Sequence, residues 1–328
     1  MTYFLGIDQG GSKTAAVVGD ESGNILGLGK SFGAVHSMDG MERAVTACCD
    51  ACRQAVSEAG IRMSDVALAY SGMSGIDWNG ESELVADALK RTLTISAINV
   101  VNDCIVAMRA GSNASNRAVL CAGSGFNCAV HSGEREIIYG FYIPDHLQGG
   151  SAIGEGALQK VFDAETGIGQ PTHLTQELLA YFHATSVDEL LRMKVEGRID
   201  TDRKLYLPRM VEQAALNGDT AANEILSEFA KGIIPYLISG MKKLNILNRP
   251  TDVVVSGSIF KCKAPILMKT VTSEISRQTR YATVINAKYE PVVGAYLLAL
   301  DAYFGETVSM LIKNNKNFNI LRKRGGSI

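Results

Sequence analysis

No run of about 18 apolar residues occurs in this 328-residue chain, so none of it reads as a membrane span. Charge of one sign is missing too: 32 Lys and Arg stand against 34 Asp and Glu, a formal charge of −2. That excludes the global basic excess that draws nucleic acid. The basic residues near the end (Lys313, Lys316, Arg322, Lys323, Arg324) read as a solvated tail. The first residues enter an apolar stretch with no secretory leader, and the seven cysteines are an odd number. Together these features imply reduced thiols and a cytoplasmic address. Cysteine and histidine never fall at zinc-type spacing. Cys48, Cys49 and Cys52 read as buried small hydrophobes on a helix face, and His36 and His146 as loop residues without a catalytic role.

What is present is glycine, 33 residues of it, gathered into turns at strand ends. The chief example is Gly6-Ile7-Asp8-Gln9-Gly10-Gly11-Ser12-Lys13-Thr14, between apolar strands at 2–8 and 14–19. Gly10 and Gly11 let a backbone approach a ligand closely, and successive N–H groups in such a turn attract anions. Ser12 and Thr14 add hydroxyl donors and Lys13 a charge. Asp8 is placed to hold hydrated Mg²⁺, a hard cation that prefers oxygen. Phosphate binding is the reading this stretch supports.

A composition of 46% hydrophobic and 20% charged residues is that of a globular protein, and the length suits about two domains. A third strand is expected at 25–31. Ser37 is the expected N-cap of a helix whose buried face is Ala44, Val45, Cys48, Cys52 and Val56. Strand 66–70 ends in Ser71-Gly72-Met73-Ser74-Gly75, a helix spans 81–91, and strand 98–101 stops at Asn102-Asp103. Residues 110–116 read as the domain link. The pattern then restarts: strand 118–121, the turn Ala122-Gly123-Ser124-Gly125, strand 126–130 and strand 134–140, a structural repeat of the opening. Helical periodicity marks 174–183, 187–194, 203–217 and 221–245. A strand at 251–255 runs into Ser256-Gly257-Ser258, followed by helix 264–278, strand 283–287 and helix 291–303. The expected domains are 1–112 and 113–328, with a helical insertion at about 151–247 and the last helix and tail returning to the first domain.

The repeat, the two glycine hairpins and the late Val-Val-Val-Ser-Gly-Ser turn resemble the actin/hexokinase/Hsp70 ATPase superfamily. More narrowly, the chain resembles the N-acetylglucosamine kinases and the BadF/BadG/BcrA/BcrD ATPase family. The resemblance implies an α/β fold of two ribonuclease-H-like (actin-like ATPase) domains, each with a mixed five-stranded sheet, around a cleft. It implies an ATP-dependent kinase that phosphorylates a hydroxyl of an amino sugar or related small molecule, with Mg²⁺ held by Asp8 through water. By the same resemblance, Asp8 to Thr14 (with Gly10, Gly11, Ser12 and Lys13) and Gly123, Ser124 and Gly125 meet the phosphates, and Gly257 and Ser258 meet the adenosine. Asp103 takes the proton of the attacking hydroxyl; read alone, an acid after a strand is a helix N-cap. Asn127, Tyr142, Gln148 and Ser151 fall in the acceptor region. Glu290-Pro291-Val292-Val293-Gly294-Ala295 resembles the family's closing helix start. Family kinases are often homodimers, so a homodimer is implied as well.

The acceptor region departs from the family pattern. Gln148 stands where the family carries an Asp, Tyr142 where it carries Trp, and Val35 at or near an Asn. An amide can bond a hydroxyl but lacks a carboxylate's charge-assisted strength. Two further readings stay open: the iron–sulfur activator ATPase of a 2-hydroxyacyl-CoA dehydratase, for which Cys121 and Cys128 flank the second hairpin, and a nucleotide-binding pseudokinase. A sugar-sensing repressor would carry a helix-turn-helix ahead of the first strand, which this chain lacks.

Overall fold

The computed structural model describes residues 1–287 and 289–305. The basic tail, and its expected return to the first domain, lie outside those residues.

Apolar stretches rich in β-branched residues, bounded by glycine turns, form the strands. β1 (Tyr3–Gln9), β2 (Lys13–Asp20), β3 (Ile25–Phe32), β4 (Val66–Met73) and β5 (Ile98–Asn102) make one sheet, ordered β3-β2-β1-β4-β5. β6 (Asn116–Ala122), β7 (Phe126–Ser132), β8 (Arg135–Ile138), β9 (Thr251–Ser256) and β10 (Ala282–Asn286) make the other, ordered β8-β7-β6-β9-β10. The two orders are the same topology. Each sheet opens with three antiparallel strands joined by tight turns, and its first strand then pairs in parallel with a strand reached by a helical crossover. The expected class, α/β with two mixed five-stranded sheets, is what the chain forms.

Local differences from the sequence reading have physical causes. Ser37 caps no helix: a one-turn helix α1 (His36–Asp39) starts from Val35, whose N–H donates to the Asp39 carboxylate. Gly40, at φ 90°, breaks the chain before α2 (Met41–Ala59). α2 buries the expected face against β2 and β3. β4 runs on through Ser71, Gly72 and Met73, which pair with β1, and α3 (Glu81–Leu93) follows it. The helix expected at 203–217 is two, α8 (Thr201–Lys204) and α9 (Leu207–Leu216), because Pro208 sits at the start of α9 and would break a longer helix. With α5 (Gly149–Glu165), α6 (Leu174–Phe182), α7 (Val187–Val195), α10 (Thr220–Lys243) and α11 (Pro265–Gln278) they bury the largest core, against one face of the second sheet.

Two helices cross between the halves. Of the stretch expected as a loop link, residues 112–115 are irregular, while its ends belong to α4 (Asp103–Gly111) and β6. Cys104, Ala107 and Met108 of α4 pack with Val119, Ala129 and Val254 of the second sheet. α12 (Pro291–Phe304) returns to the first sheet, where Tyr296, Val293 and Leu300 pack on Phe4 and Val17. A Cβ on Gly294 would stand 1.8 Å from the Val106 carbonyl, so only glycine lets α12 lie this close to α4. The Arg109 guanidinium grips the Asp301 carboxylate through two bonds, 2.6 and 3.2 Å, the bidentate geometry that makes a buried ion pair strong.

Candidate active site

Ligands of open α/β sheets sit beyond the carboxyl ends of the parallel strands. Here those ends carry Asp8 and Ser74 on one sheet and the Gly123 and Gly257 turns on the other, and α4 starts beside them. The two halves meet at these ends. The Ser12 and Ser124 hydroxyls are 2.8 Å apart, so the two glycine hairpins touch at their tips. Deeper, Asn127 of β7 donates to Asn102 of β5 at 3.4 Å.

Each hairpin is braced by the backbone. In the first, Gly10 N–H donates to Lys13 O at 2.9 Å, and a Cβ on Gly33 would stand 2.2 Å from Gly11 O. In the second, Gly123 N–H donates to Gly125 O, while Gly150 and Ser151 at the start of α5 donate to Gly123 O and Ser124 O, at 2.8 and 3.2 Å. Gly257, at φ 100°, lies so close to Ala122 that a Cβ would reach its carbonyl at 2.1 Å. The third turn is thereby fixed beside the second hairpin. By contrast, a Cβ on Gly123 would meet nothing within 4 Å, and one on Gly10 or Gly11 nothing nearer than 3.7 Å. Packing within the protein does not demand glycine at these three positions. Open space beside a turn is what an approaching phosphate chain uses.

The acids form the floor. Asp103 opens α4, where the helix N-terminus favours a negative charge. Its carboxylate accepts from the Ser74 hydroxyl. Burial pushes its pKa up, and the bonds from Ser74 and from the Cys104 and Asp103 N–H groups pull it back. The actual N-cap is Asn102, which accepts from Cys104 N–H at 3.0 Å. The Asp103 side chain is thus not consumed in capping. Asp8 is pushed up to about 7, by burial first and by Asp103 and Glu290, with Lys13 opposing. So much negative charge around one carboxylate is an arrangement that a hydrated Mg²⁺ neutralises, and the donors are all oxygen, which suits that ion. Among the described residues no three His, Cys, Asp or Glu side chains converge as a direct metal cage.

Several expected residues are placed differently. Thr14 is fully buried and its hydroxyl donates to Phe32 O at 2.8 Å, so it braces β2 against β3 instead of offering a free donor. Gln148 is turned inward: its amide donates to Ile143 O at 2.9 Å and accepts from Phe126 N–H at 3.1 Å. With both amide ends used, it latches the acceptor loop to the second hairpin. Asn127 likewise accepts from Cys128 and Gly140 N–H groups, at 2.7 and 2.9 Å. Ser151 holds the hairpin through its backbone, and Ser258 precedes the turn at Ile259–Lys261. Tyr142 is 82% exposed, at the rim and not in the core. Burial pushes the Cys128 thiol up, and half-buried Cys121 packs on the opposite face of the sheet, a poor setting for a cluster shared between subunits.

Sequence reasoning missed four features. Ser74 holds Asp103. Asp77, pushed up to about 6 by burial, Asp103 and Glu81 with His36 opposing, accepts from Asn102 at 3.1 Å. Trp78 of the first half stacks on Phe141 of the second, centroids 6.0 Å apart. Lys261 reaches Glu290. The only signal was the Ser-Gly-rich end of β4, the first place to look for site residues once β4 is known to be a parallel strand.

Residues 5–299 match the family model of the BadF/BadG/BcrA/BcrD ATPases. The chain belongs to that family. An N-acetyl-D-glucosamine kinase of Dictyostelium discoideum is 28% identical over 316 residues, spanning 91% of this chain and 98% of that protein. The glucosamine kinase GspK of Vibrio cholerae is 25% identical, spanning 73% and 80%. Among solved structures, a ROK family glucokinase from Streptomyces griseus, in complex with glucose and AMPPNP, has a TM-score of 0.59 at 21% identity, covering 90% of this chain and 99% of that one. The last likeness is one of fold.

Proposed function

We propose that the protein transfers the terminal phosphoryl group of ATP to a hydroxyl of an amino sugar or closely related small molecule. The observation that carries the reading is the apposition of two glycine hairpins at Ser12 and Ser124 beside a half-buried carboxylate, Asp103, held by Ser74. Phosphoryl transfer asks for positioning and charge neutralisation more than covalent chemistry. The hairpins at Gly10–Lys13 and Gly123–Gly125 hold the phosphates, and the turn at Gly257 and Ser258 takes the adenosine. Asp103, ionised with help from Ser74 and the start of α4, accepts the acceptor's proton. Mg²⁺ would be held at Asp8 through water and would neutralise phosphate charge. Contact between the halves at both the hairpins and the Trp78–Phe141 stack supports a cleft that closes to exclude water. Homology to enzymes named for N-acetylglucosamine and glucosamine supports an amino-sugar acceptor. With Gln148 turned inward, the acceptor is held by other groups, and Asp77, which meets Asn102 beside Asp103, is a candidate. A cytoplasmic address is supported by seven free thiols; the homodimer rests on the resemblance.

The test is ADP release with Mg²⁺ across N-acetylglucosamine, glucosamine, N-acetylmannosamine, glucose, muramic-acid derivatives and no acceptor, with Asp103→Asn alongside. A general base contributes on the order of 10²–10⁴-fold. One acceptor should stimulate release, and the variant should lose that stimulation by a factor in this range while still binding ATP. No stimulation by any acceptor, with the variant matching the parent, refutes the kinase reading in favour of an activator or pseudokinase.

A further inference from the structure

Glu290 is a buried carboxylate with no part in the chemistry above. It precedes α12 but makes no capping bond to it. Two lysines converge on it instead. Lys261 Nζ is 3.2 Å from one carboxylate oxygen, and Lys13 Nζ is 3.9 Å from the other. Lys13 sits in the first hairpin, on the first sheet. Lys261 ends the turn after Gly257 and Ser258, on the second. The three side chains therefore bridge the halves between the turn placed at the phosphates and the turn placed at the adenosine. Among the described residues, Glu290 is the only carboxylate within 4 Å of either lysine.

The balance of this bridge favours exchange. The Glu290 side chain is 9% exposed, against 46% for Lys13 and 36% for Lys261. A buried carboxylate needs a counter-charge, while the lysine heads reach water and are free to turn to a second partner. A polyphosphate chain offers an ammonium group more negative charge in one place than one carboxylate does. Lysine serves such a ligand as a point charge on a flexible stem.

We infer that Lys261 is a further phosphate ligand of the nucleotide, parked with Lys13 on Glu290 until the nucleotide arrives. This rests on the proposed nucleotide site. When the phosphate chain lies between the two turns, Lys261 turns from Glu290 to it, and Lys13 stays between the carboxylate and the phosphates.

Titration calorimetry in EDTA, which keeps metal out of the comparison, tests both parts on the full chain with ATP, ADP and adenosine. Lys261→Met should weaken ATP at least tenfold, ADP less, and adenosine not at all, while Lys261→Arg keeps most of the affinity. Glu290→Gln, which removes the competing charge without touching a cap, should tighten ATP several-fold. Equal losses for ATP and adenosine would make Lys261 a structural part of the turn, and an unchanged ATP affinity would remove its role altogether. Weaker or unchanged ATP binding by Glu290→Gln overturns the parking. A folded parent that binds no ATP fails one step earlier, at the nucleotide site itself.

Discussion

Gly123→Ala separates the two reasons a chain keeps a glycine. The first is its own backbone. Gly123 is not among the residues with positive φ, and a Cβ built on it meets no atom within 4 Å. The folded state loses nothing from the substitution, while the unfolded chain loses freedom, an effect of about 0.4–1 kcal/mol in favour of folding. The melting temperature without nucleotide should hold or rise by about 1–2 °C. The second reason is a ligand. If the phosphate chain passes over this turn, the new methyl stands in its way, and ATP affinity should fall at least tenfold, about 1.4 kcal/mol. Thermal melts without nucleotide and calorimetric titration with ATP read the two effects separately. Gly33→Ala is the control: its Cβ would stand 2.2 Å from Gly11 O, so the hairpin must move, and stability and binding should fall together. Gly123→Ala that binds ATP as the parent does would refute the phosphate reading of the second hairpin. A melt several degrees lower would refute the packing argument.

The remaining expectations concern pH and the fold. Asp8, at 3.8 when unperturbed and about 7 in the fold, contributes stability that is fully present below about pH 4 and lost as pH rises through 7. The metal-free protein should therefore melt lower as pH rises across that window, Mg²⁺ should restore part of the loss, and Asp8→Asn should flatten the curve; a parent whose melting ignores both pH and Mg²⁺ contradicts the charge crowding at Asp8. Tyr296, fully buried, donates its hydroxyl to Asp20 O at 2.5 Å. Tyr296→Phe should cost about 1–3 kcal/mol in urea unfolding and leave ATP affinity alone.

The turns of the candidate site were legible because their signals are local. Gly10 to Lys13 and Gly123 to Gly125 are short turns between apolar strands, and alternation places both without knowledge of the other half. The helix boundaries that failed were decided by single residues with two readings, such as Ser37, a fair N-cap that lost to the Asp39 bond on Val35 N–H. The partners of Gln148 and Ser74 were not legible, because the fold and not the local sequence supplies them. Gln148 looks like a hydroxyl ligand until Ile143 O and Phe126 N–H are seen to use both ends of its amide. Ser74 carries no signal until β4 and β5 bring it to Asp103, 29 residues on.

The crossing helices bear on how such a cleft can close. Asp103 opens α4, and α4 buries Cys104, Ala107 and Met108 against the second sheet. Its N-cap Asn102 also accepts from Asn127 of that sheet. Ser74, which bonds the Asp103 carboxylate, belongs to the first half. Asp103 is therefore held from both sides. α12 adds a second tie, since it packs on the first sheet, grips Arg109 of α4 through Asp301, and begins at Glu290, where lysines from both halves meet. A movement that parts the hairpins at Ser12 and Ser124 must work against these ties, so the deep end of the cleft around Asp103 changes least and the hairpin tips most. A ligand can then enter past the tips while Asp103 keeps its partners, and closure is left to the contacts that have least to lose, the serine pair and the exposed Trp78–Phe141 stack.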